Sequence, residues 1–169
     1  MLISTNCPPV WSSPASTRFC LINPDMQYKQ FKIELRNWCD EQQGTPEYDS
    51  RVKAAAVFDN CYKSELKDLN LSDFDLTSIP SAIRFLQSLR SINFQNNQLV
   101  ILPPEICDLE GLEILNLGNN YLQNIPSELT QLSNLKILIL DNNPINALPV
   151  GLFLMKNKCK ISLTGCPFV

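Results

Sequence analysis

The chain repeats itself every 23 residues. The segments "LKDLNLSDFDLTSIP" (66–80), "LRSINFQNNQLVILP" (89–103), "LEILNLGNNYLQNIP" (112–126) and "LKILILDNNPINALP" (135–149) align without a gap. A fixed period of this length marks stacked supersecondary units, none of which can bury its apolar side alone. Leu66, Leu89, Leu112 and Leu135 form one column, and Leu69, Ile92, Leu115, Leu138 and Ile161 the next. Leu71, Phe94, Leu117, Leu140 and Leu163 follow two residues later. That alternation predicts a short strand in every repeat, with its aliphatic residues pointing inward. Further columns run through Leu76, Leu99, Leu122 and Ile145, and through Ile83, Ile106, Leu129 and Leu152. At roughly 1.5–3 kcal/mol per buried aliphatic side chain, four such repeats supply ample gross burial to oppose chain entropy.

Two further columns interrupt this pattern. Asn97, Asn120 and Asn143 stand where the inward series ends, with Phe74 and Cys166 in the first and last turns. Backbone that turns a corner under the next repeat must find hydrogen-bond partners. An Asn amide offers two donors and an acceptor, so it can meet that need from inside. These three residues are therefore expected to be structural, forming a ladder along the stack. Pro80, Pro103, Pro126 and Pro149 recur at a second fixed place. Each forces an extended residue before it and presets φ for a short helical turn on the outer side.

The whole pattern, LxxLxLxxNxLxxLPxxIxxLxx, resembles the leucine-rich repeat over residues 66–169, as four full repeats and a truncated fifth. The resemblance implies an α/β solenoid with parallel strands on the concave face. Three parts are expected: a flexible leader over 1–23, an N-terminal helical cap over 24–64 and repeats over 65–169.

The first 23 residues, "MLISTNCPPVWSSPASTRFCLIN", show no period and are rich in Ser, Thr and Pro. They suit a flexible leader, either a translocation signal or a plain terminus. Residues 25–42 predict a helix with Tyr28, Phe31, Leu35, Trp38 and Cys39 on one stripe, ended by Gly44. A second helix is expected over 46–60, with Thr45 at the N-cap, Pro46 at N1 and Glu47 in the first turn. Its buried side is expected to be Tyr48, Val52, Ala55 or Ala56, and Phe58. A solenoid end exposes an apolar cross-section, so this helical pair suits a cap; a partner-binding surface is the alternative. The Trp-containing helix, "SRVKAAAVFDNC" and "ELKDLNLSDFDLTSIP" together look like the lead-in to the repeats of bacterial injected effectors, including the IpaH-like ubiquitin ligases. In those ligases the repeats select substrate and a separate C-terminal domain carries the catalytic cysteine. The sequence ends at Val169 without such a domain, so ligase activity is not expected to carry over.

Charge and composition narrow the function classes. A net charge of −3 gives no reason to expect a nucleic-acid partner. No apolar run is long enough to span a membrane, and residues 1–20 lack the features of a cleaved signal peptide. The expected location is the cytoplasm, or a host cytosol reached without a cleaved signal. The chain holds no histidine, which removes Ser-His-Asp and Cys-His catalysis, His-ligated zinc and histidine pH switching. Its 7 cysteines contain no CxxC. Cys159 and Cys166 either pair at the solenoid end or, with the others, act as reduced small hydrophobes. No catalytic residue, metal site or cofactor is expected.

The residues between the inward leucines point out of the concave face. Ile114, Ile137 and Ile139 fall there, and nothing in the repeat requires isoleucine at those places. They are expected to form one exposed apolar patch with Asn93, Asn116 and Asp141 beside it and Arg90, Glu113 and Lys136 at its edge. An apolar patch with a polar rim is an interface signature; the alternative is β-propensity filler on a strand. The function expected is a protein–protein interaction module, bacterial effector or adaptor, binding a protein partner as a monomer. The alternative is the substrate-recognition arm of a ubiquitin-ligase-type effector.

Overall fold

The computed structural model describes residues 23–155 and 158–167. Most of the expected leader lies outside them. Asn23, assigned to it, instead caps the first helix: its side chain accepts from the Asp25 amide at 2.9 Å.

Two helices come first, α1 (Pro24–Asp40) and α2 (Glu47–Lys63). Five three-residue strands follow: β1 (Asp68–Asn70), β2 (Ser91–Asn93), β3 (Ile114–Asn116), β4 (Ile137–Ile139) and β5 (Lys160–Ser162). They form one parallel sheet in chain order, in the register Leu69–Ile92–Leu115–Leu138–Ile161. That register is the 23-residue period itself, so every repeat lays its strand beside the last with no slip. Short 3-10 turns form the opposite side at Ser81–Phe85, Pro104–Asp108 and Ser127–Gln131; the last turn is a helix, α3 (Val150–Met155).

The prolines stand at the entry to the outer turns. Pro80, Pro103 and Pro126 are the N-cap residues of the 3-10 turns, with φ of −69°, −70° and −63° and ψ extended at 145°, 141° and 139°. Their ring holds φ, and their carbonyls accept the first turn bonds from Ile83, Ile106 and Leu129. No N–H is needed at that corner, so its loss is harmless.

One continuous core runs from Phe31 in α1 to Cys159 beside β5. Phe31, Phe58, Phe94 and the strand-centre residues Ile92, Leu115 and Leu138 are all fully buried. The first repeat departs from the pattern: Leu66 is 39% exposed, because no earlier strand covers it. The α2 face also differs from expectation. Val52 and Ala56 are exposed, and the buried side is Arg51, Ala54, Phe58 and Cys61. Thr45 does not cap α2; its hydroxyl donates to the Gln42 carbonyl at 2.8 Å, and Pro46 is the N-cap residue. Helix α1 ends at Asp40, and Gly44 sits in the link between the helices at φ +86°.

Arg51 explains why α2 turns that way. Its guanidinium donates to Glu47 at 2.8 Å, to Glu41 at 3.1 Å, to the Trp38 carbonyl and to Ser78 Oγ at 2.8 Å. It also lies over the Trp38 ring at 5.0 Å. Trp38 Nε1 donates to the same Ser78 Oγ at 2.9 Å, and Thr77 donates to Glu47 through both its hydroxyl and its amide. Thr77 and Ser78 belong to the first repeat, so one buried arginine joins both helices to the solenoid. A buried cation is tolerable only with such full pairing.

Candidate partner-binding face

The strand centres point into the core, and the flanking residues line the concave side. Residue pairs Asp68↔Ser91, Ser91↔Ile114, Ile114↔Ile137 and Ile137↔Lys160 make one row across the sheet. Asn70, Asn93, Asn116, Ile139 and Ser162 make the second row. Ile114 and Ile137 are therefore direct neighbours, and Ile139 is two residues along the same strand. All three are half-buried rather than exposed. Packing against neighbours on the sheet removes part of each side chain from water, which sequence spacing does not report.

The polar members of the face divide by what holds them. Asn70, Asn93 and Asn116 each turn Oδ1 back to the amide two residues on, at Ser72, Gln95 and Gly118. These Asx turns close each strand. Asn116 Nδ2 also donates to Gln95 Oε1 at 3.0 Å. Asp141 Oδ1 accepts from the Ser162 hydroxyl and the Thr164 amide, both at 2.7 Å, stitching β4 to the last repeat. Lys136 pairs with Glu113 at the edge of the patch. The hydrogen bond from Lys136, with the nearby Arg90 charge adding, holds the Glu113 carboxyl below the usual carboxylate range. Arg90 is exposed, but its guanidinium lies over Gly111 and donates to the Leu89 carbonyl at 3.1 Å. A side chain at residue 111 would occupy the same space, so this glycine leaves room for Arg90.

Behind the face, Asn97, Asn120 and Asn143 are at most 5% exposed. Asn120 Nδ2 donates to the Phe94 and Leu117 carbonyls at 3.0 Å, and its Oδ1 accepts from the Leu99 amide at 3.0 Å. Asn97 and Asn143 bond in the same way, one repeat earlier and one later. These bonds all run to backbone, none from one of the three amides to another. Each joins its own repeat to the backbone of the preceding one. Cys166 continues the series with a thiol donating to the Leu140 carbonyl at 3.3 Å. Cys159 and Cys166 are both free thiols.

A true side-chain ladder lies one residue earlier, and the sequence reading missed it. Asn142 donates to Asn119 at 2.7 Å, Asn119 to Asn96 at 2.7 Å, and Asn96 to Asp73 at 2.9 Å. All four have left-handed backbone, with φ between 54° and 61°. The column Asp73, Asn96, Asn119, Asn142, Gly165 was visible in the period. It contains only residue types that tolerate this conformation.

Among the described residues no helix is long and apolar enough to cross a membrane, and no His/Cys/Asp/Glu group could hold a metal ion. Residues 88–109 and 111–132 match the family model for the leucine rich repeat. No curated protein matches the sequence. Among solved structures, a leucine-rich-repeat protein of Leptospira interrogans is 30% identical, with a TM-score of 0.52 over 69% of this chain and 33% of that one. A Shigella effector leucine-rich-repeat domain is 22% identical, with a TM-score of 0.61 over 73% of this chain and 51% of that one. The chain thus spans a third to a half of the length of these two relatives. Period, register and likeness agree on a leucine-rich-repeat fold, with its parallel strands in one sheet and two helices before it.

Proposed function

We propose that the chain is a protein-interaction module that binds its partner through the concave face, centred on Ile114, Ile137 and Ile139. One observation carries the reading: three partly exposed isoleucines adjoin on β3 and β4, where the flanking strands carry Asp, Ser, Asn and Lys. Apolar surface kept half-open, beside polar groups already tied down in Asx turns, is what an interface core with a preformed rim needs. Arg90, Glu113, Lys136 and Asp141 then supply the rim, and Asn93 and Asn116 the floor beside the patch. The setting proposed is a bacterial effector or adaptor, supported by the lead-in "SRVKAAAVFDNC" and the helical pair it belongs to. The same lead-in supports a second reading, the substrate arm of a ubiquitin-ligase-type effector.

The test is Ile137→Asp. In a complex the new carboxylate would be desolvated and unpaired, which costs several kcal/mol and takes a micromolar affinity beyond detection. In the free protein it remains partly hydrated, so the fold should lose about 1 kcal/mol. A variant that melts normally and still binds the partner of the wild type would refute the concave reading.

A further inference from the structure

We infer that the segment docking on the concave isoleucines carries an acidic side chain next to its apolar anchor, and that Lys160 receives it. This proposal rests on the concave-face reading above and names the chemistry of the partner.

Lys160 is the continuation of the isoleucine row. Its Cα is the register partner of Ile137, one strand spacing of roughly 4.8 Å away. Lys160 lies on the same side of the sheet and is exposed. Among the described residues no ion pair or hydrogen bond engages its ammonium, unlike Lys136 on Glu113, Lys63 on Asp59 or Arg84 on Glu34. The acids that might have served are committed. Glu113 holds Lys136, and Asp141 holds the Ser162 hydroxyl and the Thr164 amide.

An ammonium with no partner among the described residues, set beside an apolar patch, constrains what can cover that patch. The lysine stem extends the apolar surface, while its head needs water or an anion. A partner that covers Ile137 also displaces water from Lys160. Without an anion of its own it would leave the cation desolvated and unpaired, which opposes binding. A partner with a carboxylate there converts the same contact into a charge-assisted hydrogen bond. The one exposed acid of this row, Asp68, stands four strand spacings from Lys160, roughly 19 Å. It is too distant to neutralise Lys160 and serves as a control position.

The experiment pans a random 12-residue peptide display library on the full-length chain. The most enriched peptide is then titrated by fluorescence anisotropy against wild type, Ile137→Asp, Lys160→Glu and Asp68→Asn. Expected are enriched sequences with Asp or Glu within two positions of Ile, Leu or Phe. Binding should be lost with Ile137→Asp, weakened about tenfold or more by Lys160→Glu, and unchanged by Asp68→Asn. Replacing the peptide acid by Lys should restore binding to Lys160→Glu. Enriched peptides without acidic bias, or unaffected by Lys160→Glu while lost with Ile137→Asp, overturn the acidic partner and leave the concave reading standing. Binding that survives Ile137→Asp overturns both. A library that yields no binder overturns the proposal that such a segment suffices.

Discussion

Each repeat turns its corner on one asparagine, and the next repeat depends on the bonds that amide makes. Asn120→Ala leaves the buried Leu99 amide without its acceptor, and leaves the Phe94 and Leu117 carbonyls with only the Asn97 and Asn143 amides. A buried polar group left unpaired costs about 1–3 kcal/mol. The expected result is a lower urea midpoint with an unchanged slope; an unmoved midpoint would contradict the bonding described. Gly165 carries a different constraint, since its φ of +75° disfavours any Cβ and a Cβ there would run into Asn142 Oδ1. Gly165→Ala should therefore lose at least the ~1–2 kcal/mol of left-handed backbone, read as a lower melting temperature. The buried column was legible because its chemistry has a single purpose. The ladder of Asp73, Asn96, Asn119 and Asn142 was equally periodic, yet the sequence reading did not single it out. Only coordinates show that successive side chains reach one another.

At the scale of elements, the helical pair is held by charge as well as by oil. Stacked and edge-on rings link Tyr28, Phe31, Tyr62 and Phe85, and Trp38 meets Phe58 edge-on at 6.1 Å. Arg51 lies over the Trp38 ring and pairs with Glu47. Arg51→Ala strands Glu47 and the Trp38 carbonyl without the cation, and breaking a buried pair from one side costs about 3–5 kcal/mol. A melt that shifts by less than a degree would refute that role. Burial alone would raise the Glu47 carboxyl, but hydrogen bonds from the Thr77 hydroxyl, Arg51 and the Thr77 amide outweigh it and hold it low. A carboxyl depressed in the folded state stabilises fully above its unfolded value and loses that stability as pH falls through the folded one. The contribution should fade below pH 4.5, the ordinary value of the group. Glu47→Gln should flatten stability against pH in that window, leaving the parallel contribution of Asp59, whose carboxyl is also held low by Lys63, Tyr28 and Lys32 against the effect of its burial. The helices themselves were legible as helices. Their orientation was not, because a long charged side chain at the buried position breaks the apolar stripe that α2 would otherwise show.

The whole molecule is a stack in which each repeat rests on its neighbours, and its N-terminal end is covered by α1 and α2. Leu69, Leu71, Leu76 and Ile79 are at most 5% exposed under that cover. A fragment starting at residue 65 should aggregate or lose its cooperative melt; a soluble, cooperatively unfolding fragment would remove the capping role we propose for 24–64. The sequence by itself determined the period, hence the five parallel strands, their register and the concave placement of Ile114, Ile137 and Ile139. A repeat acts on neighbours at a constant separation along the chain, so its consequences can be read by counting. Tertiary structure alone decided that the isoleucines are half-buried, that Asp141 is bound to the last repeat, that Arg51 rather than Val52 faces inward, and that Lys160 meets no partner among the described residues. Those outcomes depend on distances between side chains that share no period, and on which of several acids each cation meets first.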